Sequence, residues 1–156
     1  MKRWHIIMLM VVCLILSSCM RGKVYDHYVD IHNEEWQQGD TITLQTDSIR
    51  NDGSYNSKVG IRIREEMPYI GVSILVTQKI TNKDREGYTL TDTVDCQFVN
   101  DRGNKTGSGI SHHQYIFPIR SQELHQGDTV TVTLCHIMNT DTIPAISEIG
   151  YILTKD

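Results

Sequence analysis

Val59-Gly60-Ile61-Arg62-Ile63-Arg64 is the stretch that most clearly predicts the fold. Its residues alternate between apolar and polar types, and this period of two is typical of a β-strand with one face buried and the other in water. We therefore expect Ile61 and Ile63 to face a hydrophobic core and Arg62 and Arg64 to face solvent.

The same alternation recurs through most of the chain. The candidate strands are 24–31, 41–48, 58–65, 71–81, 89–99, 111–118, 128–138 and 148–154. Clusters of Gly, Asn and Asp separate them, and no stretch keeps a helical period. About eight short strands at near-regular spacing predict an all-β fold, a single antiparallel β-sandwich of jelly-roll or immunoglobulin-like topology.

The N-terminus has the pattern of a bacterial lipoprotein signal peptide. Lys2 and Arg3 precede an apolar run over 6–16, and Ser17-Ser18 then lead to Cys19. The run is shorter than the roughly 20 apolar residues that cross a bilayer, and the cysteine supplies the thiol that lipid modification needs. We predict a signal peptide over 1–18, a lipidated tether over 19–23 bound to the lipid bilayer through acylated Cys19, and a β-sandwich domain over 24–156.

Two cysteines remain once Cys13 is cleaved away and Cys19 is acylated. Cys96 alternates in phase with the apolar residues of its strand, so it should face the core. Cys135 is out of phase with its apolar neighbours and should face outward. Opposite phases make a disulfide between them the less favoured interpretation, although a bulge could shift the register.

Charge and motifs argue against several functional classes. The formal net charge is −4 with scattered basic residues, whereas phosphate binding by a nucleic-acid partner needs a clustered basic face. We predict no enzymatic activity, no cofactor and no metal. The polar groups that could form a catalytic or metal site are better interpreted as turn and strand residues. The groups considered are His112-His113, His27 with His32, Glu34-Glu35, Glu65-Glu66 and Gly107-Ser108-Gly109.

The C-terminal segment His136–Ile152 resembles the signature of the gliding motility lipoprotein GldH family. That family has His-x-Met, then an apolar-Pro-Gly-Ile turn, then an apolar-Gly pair entering the last strand. Here the matching residues are His136 and Met138, the turn at 143–146 and Gly150. Ala145 stands where the family usually has glycine, so the turn is expected to differ.

The resemblance implies an envelope lipoprotein that supports gliding and type IX secretion without known enzymatic activity. We expect an accessory or scaffold subunit with envelope protein partners. Met20 is not the aspartate that retains lipoproteins in the inner membrane, and no acidic run follows it. We therefore predict the outer membrane, on its periplasmic face. The alternative is a carbohydrate-binding module of a glycan-uptake system, in which exposed Tyr and Trp stack on sugar.

Three residues are candidates for interaction: Trp36, His136 and Met138. For Trp36 a core position is the favoured interpretation, and for His136 a buried structural role.

Five Asp-(Ser/Thr)-apolar tripeptides resemble the O-glycosylation sequon of Bacteroidota envelope proteins, although the same pattern also opens β-strands. The candidate hydroxyls are Thr41, Ser48, Thr93, Thr129 and Thr142. Of these, Ser48 and Thr142 are expected to be the most accessible.

Overall fold

Ten strands and one short 3₁₀ turn follow one another along residues 22–156, the part of the chain that this computed structural model describes. The predicted signal peptide and Cys19 lie outside the described residues. The elements are β1 (Lys23–Asp30), the 3₁₀ turn (His32–Glu34), β2 (Glu35–Gln37), β3 (Ile42–Gln45), β4 (Gly53–Arg64), β5 (Gly71–Thr81), β6 (Tyr88–Gln97), β7 (His112–Leu124), β8 (Thr129–His136), β9 (Thr142–Pro144) and β10 (Ile146–Lys155).

The strands pair as one long hairpin rolled into two sheets. Five antiparallel ladders are nested inside one another, β1·β10, β2·β9, β3·β8, β4·β7 and β5·β6. Two further ladders, β10·β4 and β5·β8, join them into sheet I (β1-β10-β4-β7) and sheet II (β3-β8-β5-β6), while β2 and β9 form a separate two-stranded ribbon. This nesting is the jelly-roll arrangement, so the predicted sandwich is confirmed and its topology is decided.

The core lies between the inner faces of the two sheets. Val59, Ile61 and Ile63 of β4 have no exposed surface, which confirms the predicted facing of that strand. Sheet II contributes alternating residues of the same kind. Among its fully buried side chains are Ile74, Val76, Val130, Val132 and Leu134.

Two strands are longer than their apolar alternation predicts. β4 begins at Gly53 and β7 ends at Leu124, where polar side chains enter the interior. There the Gln122 amide donates to Oε1 of Gln78 at 3.2 Å, and the Tyr151 hydroxyl donates to the same oxygen at 2.6 Å. Hydrogen bonds to one another let these polar groups be buried, and they allow Gln122 to enter the interior at a position that sequence patterning assigns to a loop.

Ala145, between β9 and β10, has a φ of 63°, in the left-handed region that favours glycine. It is buried, and its carbonyl accepts a hydrogen bond from the Arg64 N–H at 2.9 Å. The β9–β10 connection therefore uses a backbone conformation suited to glycine while carrying an alanine.

Cys96 and Cys135 are both free thiols, and the fold explains why. Cys96 lies on β6 and Cys135 on β8, and β5 runs between these strands in sheet II. Cys96 is buried, whereas Cys135 is half-buried on the opposite face, as predicted. Burial raises the pKa of the Cys96 thiol to about 12, which makes it unreactive at neutral pH.

The sandwich has two distinct ends. We call the end where β1 begins and β10 finishes the proximal end, because it is the end next to the N-terminal tether. The connections 46–52, 82–87 and 125–128 also lie there. At the distal end lie the connections 65–70, 98–111 and 137–141 together with the β2–β9 ribbon. Within residues 22–156 no helix is long and apolar enough to cross a bilayer.

A buried carboxylate ties the proximal connections together. Asp128 has no exposed surface and forms an ion pair with Arg85. It also accepts hydrogen bonds from the Asn82 amide at 2.7 Å and from the His125 backbone N–H at 2.8 Å. Burial alone would raise the pKa of this carboxyl, but its three donors together hold the pKa below the ordinary value.

Candidate functional site

Tyr28 lies flat on the outer face of sheet I. In the register across the sheet Tyr28 is opposite Gly150, and Gly150 is opposite Gly60. A Cβ at position 150 would lie 2.6 Å from Cγ of Tyr28, and a Cβ at position 60 would lie 2.1 Å from its hydroxyl oxygen. The ring therefore rests directly on the backbone of two strands at positions where only glycine leaves room for it.

Arg62 covers the other face of the same ring. Its guanidinium carbon is 4.5 Å from the ring centroid of Tyr28, within the range of a cation–π contact. Nε of Arg62 donates to Oε1 of Gln114 at 3.1 Å, and the Gln114 amide donates to the Tyr28 hydroxyl at 3.2 Å. Arg62 also forms an ion pair with Glu148.

These contacts hold Arg62 and Tyr28 in fixed positions. Burial, followed by the nearby Asp26 carboxylate, raises the pKa of Tyr28, so its hydroxyl stays protonated at neutral pH. The four side chains of this group come from four different strands, and each one contacts a side chain from another strand. An arginine whose geometry is set in advance loses less entropy when it binds a partner.

This group opens onto a cleft of about 630 Å³ at the distal end. Three carboxylates line it with Arg62, namely Asp30, Glu34 and Glu148. The remaining lining residues are Ile31, Ser108, His112, Gln114 and Ser147. The cleft is polar and open, so it is suited to binding a polar surface rather than to enclosing a small apolar molecule.

The carboxylate doublets lie around this cleft in ion pairs. Arg64 pairs with Glu34 and lies 3.6 Å from Glu66. Glu65 pairs with Lys105 at 2.9 Å and with His113 at 2.5 Å, and these hydrogen bonds lower its pKa. Three of the four doublet carboxylates, Glu34, Glu65 and Glu66, therefore lie beside cations, while Glu35 begins β2.

The side chains of the two adjacent histidines have different surroundings. His112 lines the cleft, while His113 binds Glu65. The Gly107-Ser108-Gly109 loop folds back on β7, where Ser108 and Gln114 exchange both backbone hydrogen bonds. Among residues 22–156 no three His, Cys, Asp or Glu side chains converge as a metal site would require.

Trp36 and His136 belong to the interior. Trp36 is fully buried, its indole N–H donates to the Asp40 carbonyl at 3.0 Å, and its ring meets the His136 ring edge-on at 5.3 Å. Burial lowers the pKa of His136, so the ring is neutral near pH 7. The favoured structural interpretation of both residues agrees with these positions.

Met138 is the third candidate and lies nearer the surface. Its sulfur accepts a hydrogen bond from the Ser73 N–H at 3.4 Å. Ile137 and Ile70, both exposed, are adjacent in sequence to the ends of β8 and β5 at the same distal end. The candidate contact surface here is thus apolar, and it lies apart from Trp36.

The five candidate glycosylation hydroxyls differ in exposure. Thr41, Ser48 and Thr93 are exposed, while Thr129 is half-buried. Thr142 is also half-buried, and its hydroxyl donates to Oε1 of Gln37 at 2.9 Å. The expected accessibility of Ser48 agrees with the structure, but that of Thr142 does not, because position 142 is paired in the β2–β9 ribbon and does not lie in a loop.

Sequence patterning placed Arg62 in solvent and did not reveal Tyr28, Gln114 or Glu148 as its partners. A signal was nonetheless present. Gly60 and Gly150 interrupt two otherwise well-patterned strands at outward-facing positions, and glycine inside a strand often marks a place where another group approaches the backbone.

Comparison with known proteins finds a family match over nearly all of the described chain. Residues 23–153 match the family described as GldH lipoprotein. The chain is 23% identical over 103 residues to a gliding motility lipoprotein GldH from Flavobacterium johnsoniae, covering 66% of this chain and 62% of that protein. It is 25% identical over 97 residues to a gliding motility lipoprotein GldH homolog from Christiangramia forsetii, covering 62% of this chain and 56% of that protein. The matched region thus spans about three fifths of these relatives.

A crystal structure of a protein from Sulfurospirillum deleyianum aligns with a TM-score of 0.46 at 11% identity, covering 85% of this chain and 98% of that one.

Proposed function

The chain belongs to the GldH lipoprotein family, and from this membership we propose that it is a non-catalytic accessory or scaffold subunit of the gliding motility and type IX secretion machinery. Its family makes it a membrane-anchored envelope lipoprotein. We further propose that lipid on Cys19 holds it in the outer membrane with the domain on the periplasmic side. Its action is then positional, because it presents a fixed surface to a protein partner at a set distance from the membrane.

The observation that carries this proposal is the placement of the Arg62 cleft relative to the start of β1. Lys23 is four positions after Cys19, and four Cα-to-Cα steps span at most about 14 Å. The anchor therefore holds the proximal end near the bilayer. Arg62 lies nine residues along β4 from Gly53, about 30 Å toward the other end. A partner can reach the distal cleft without meeting the lipid surface.

The chemistry of the cleft favours a protein partner over a sugar. A preset arginine beside a half-buried tyrosine is typical of the residues that dominate protein interfaces. Sugar binding would favour an exposed aromatic platform, but Trp36 is fully buried. Of the tyrosines in residues 22–156, Tyr88 alone is exposed, at 37%.

The polar groups of the cleft support a role without catalysis. Glu34 and Glu148 are engaged by Arg64 and Arg62. The Ser111 hydroxyl lies 3.3 Å from Nδ1 of His112, but a nucleophile of this kind also needs its histidine oriented by a third group. None of the hydrogen bonds or ion pairs described for residues 22–156 supplies such a group to His112.

The anchor is tested by metabolic palmitate labelling of the parent and of Cys19→Ser in the native host. We expect label on the parent and none on the variant, and equal labelling of both would contradict lipidation at Cys19. Protease treatment of intact cells tests the orientation, because a periplasmic domain stays intact until the outer membrane is opened.

The cleft is tested by complementing a deletion strain with Arg62→Ala. We expect normal abundance of the variant but reduced type IX-dependent secretion and gliding, together with loss of a crosslinked partner seen with the parent. Lys58→Ala is the matched control, since Lys58 faces outward on the same strand and does not line the cleft. Full complementation by Arg62→Ala would reject the cleft as the partner site.

A further inference from the structure

A second cleft lies at the proximal end, and three segments distant in sequence bring cations to it. Lys23 comes from the start of β1, Arg50 from the β3–β4 connection and Lys155 from the end of β10. The cleft measures about 320 Å³, and Asp47 and Tyr55 are among its other lining residues. Three of the lining side chains are cations and one is a carboxylate, although the chain as a whole is acidic.

Two of these cations keep an uncompensated charge. Lys23 forms an ion pair with Asp26 at 2.5 Å. The Lys155 ammonium instead donates to the backbone carbonyl of Asp52 at 3.0 Å and lies 5.8 Å from the ring centroid of Tyr55. Arg50 takes part in no ion pair within the described residues. An unpaired guanidinium and an unpaired ammonium that line the same cleft are a good receptor for a phosphate group.

The tether leaves the sandwich at this cleft. The backbone N–H of Lys155 donates to the Gly22 carbonyl at 2.7 Å, which places the start of the described chain beside the cation. Val24, 44% exposed, also lines the cleft and adds an apolar surface next to the charges. Gly22 is three positions after Cys19, so the backbone can carry the point of lipid attachment at most about 11 Å from Gly22.

We propose that the proximal cleft binds the phosphate of an anionic phospholipid headgroup through Arg50 and Lys155, with Lys23 adding to the positive electrostatic potential of the cleft. This rests on the proposed function, because lipid on Cys19 is what brings the cleft to the bilayer. The contact fixes the angle at which the sandwich stands on the membrane, since an acyl anchor alone leaves the domain free to tilt. The distal cleft is thereby aimed away from the surface.

The test uses the mature chain from residue 19 with Cys19→Ser, so that no acyl chain contributes. Its sedimentation with vesicles of phosphatidylcholine alone is compared with vesicles that also contain phosphatidylglycerol. We expect stronger binding to the anionic vesicles, weakened by salt. Each basic residue near an anionic surface contributes about fivefold to binding, so Arg50→Gln with Lys155→Gln should reduce binding about 25-fold.

Arg102→Gln with Lys105→Gln is the matched control. It also removes one arginine charge and one lysine charge, but from the distal β6–β7 connection. We expect it to bind anionic vesicles like the parent. Equal weakening of both double variants would mean that only net charge matters and would overturn the proposal. So would equal binding to the two kinds of vesicle. Circular dichroism confirms that each variant is folded.

A second experiment distinguishes a free phosphate ion from a lipid headgroup as the ligand of the cleft. It compares the thermal unfolding of the protein in inorganic phosphate with that in chloride of matched ionic strength. Stabilisation by phosphate without preference for anionic vesicles would assign the cleft to a soluble ligand and overturn the headgroup proposal. Because this chain carries no lipid and no partner is present, vesicle binding can fail while palmitate labelling of the parent succeeds. Failure here is therefore distinguishable from failure of the proposed function.

Discussion

The Tyr28 hydroxyl occupies the space that a side chain at Gly60 would need, since a Cβ there would lie 2.1 Å from that oxygen. At Gly150 a Cβ would meet both Cγ of Tyr28 at 2.6 Å and the His27 carbonyl oxygen at 2.7 Å. The obstacle at position 60 is the end of one side chain, whereas the obstacle at position 150 includes backbone. This difference makes the two glycines separable by mutation.

Gly60→Ala should cost about 1 kcal/mol and Gly150→Ala about 3 kcal/mol in the free energy of unfolding, because backbone relieves a clash less easily than a ring does. Urea denaturation measures both. In a Tyr28→Ala background, Gly60→Ala should lose most of its cost while Gly150→Ala keeps much of its own. Equal costs in both backgrounds would show that Tyr28 does not lie on these glycines.

Ala145→Gly should stabilise the domain by about 0.5–1 kcal/mol. Glycine carries no Cβ penalty at a φ of 63°, and this gain exceeds the entropy that glycine loses on folding. Ala145→Val should destabilise, because β-branched residues rarely adopt positive φ. A destabilising Ala145→Gly would indicate that burial of the Ala145 methyl group outweighs the backbone strain.

The Asp128 ion pair should make stability depend on pH in the acid range. The folded pKa of Asp128 is below its ordinary value of 3.8, so its contribution is complete above that pH and is lost as the pH falls through the folded pKa. Asp128→Asn should cost about 1–3 kcal/mol at neutral pH. Urea midpoints of parent and variant should converge below pH 4, and a constant difference across pH would exclude titration of Asp128 as the cause.

Ile61→Asp or Ile63→Asp should unfold the domain. Each places an unpaired charge at a position with no exposure, a cost above about 4 kcal/mol. Arg62→Ala should cost about 1 kcal/mol or less and Arg64→Ala should have little effect, because their ion pairs are partly exposed. Thermal unfolding followed by circular dichroism compares the four, and equally damaging arginine changes would reverse the assigned facing of β4.

O-glycosylation, if the sequon operates here, should occur at Thr41, Ser48 or Thr93. A glycan needs an accessible hydroxyl, and these three are exposed, whereas the Thr142 hydroxyl is hydrogen-bonded to Gln37. Peptide mass spectrometry of protein from the native host locates any glycan. Unmodified peptides over all five hydroxyls would leave the tripeptides as strand-opening sequences, and a glycan on Thr142 alone would contradict this order.

Much of the fold was predictable because strand facing is a local property. Alternation in β4 correctly placed Ile61 and Ile63 inside, and the same rule correctly placed Cys96 and Cys135 on opposite faces. The two short strands β2 and β9 were missed, because three residues are too few for a period of two to be visible. The family resemblance was also available from motif order in the sequence, and the family match over 23–153 confirms it.

Strand pairing was not predictable, since alternation says which face a residue is on but not which strand lies beside it. The nested ladders that distinguish a jelly roll from an immunoglobulin-like sandwich are contacts between residues far apart in sequence. For the same reason the contacts among Tyr28, Arg62 and Gln114 emerge only from the register of β1, β4 and β7.

Two nearly identical hexads show where local sequence stops being informative. Gln38-Gly39-Asp40-Thr41-Ile42-Thr43 and Gln126-Gly127-Asp128-Thr129-Val130-Thr131 each open a strand, and these strands, β3 and β8, pair with each other. Sequence alone determined that both are turns entering β-strands. Yet Asp40 is exposed while Asp128 is buried against Arg85. Only the tertiary structure decides this, because the charge that makes burial of a carboxylate tolerable comes from a distant connection that packs on one hexad and not on the other.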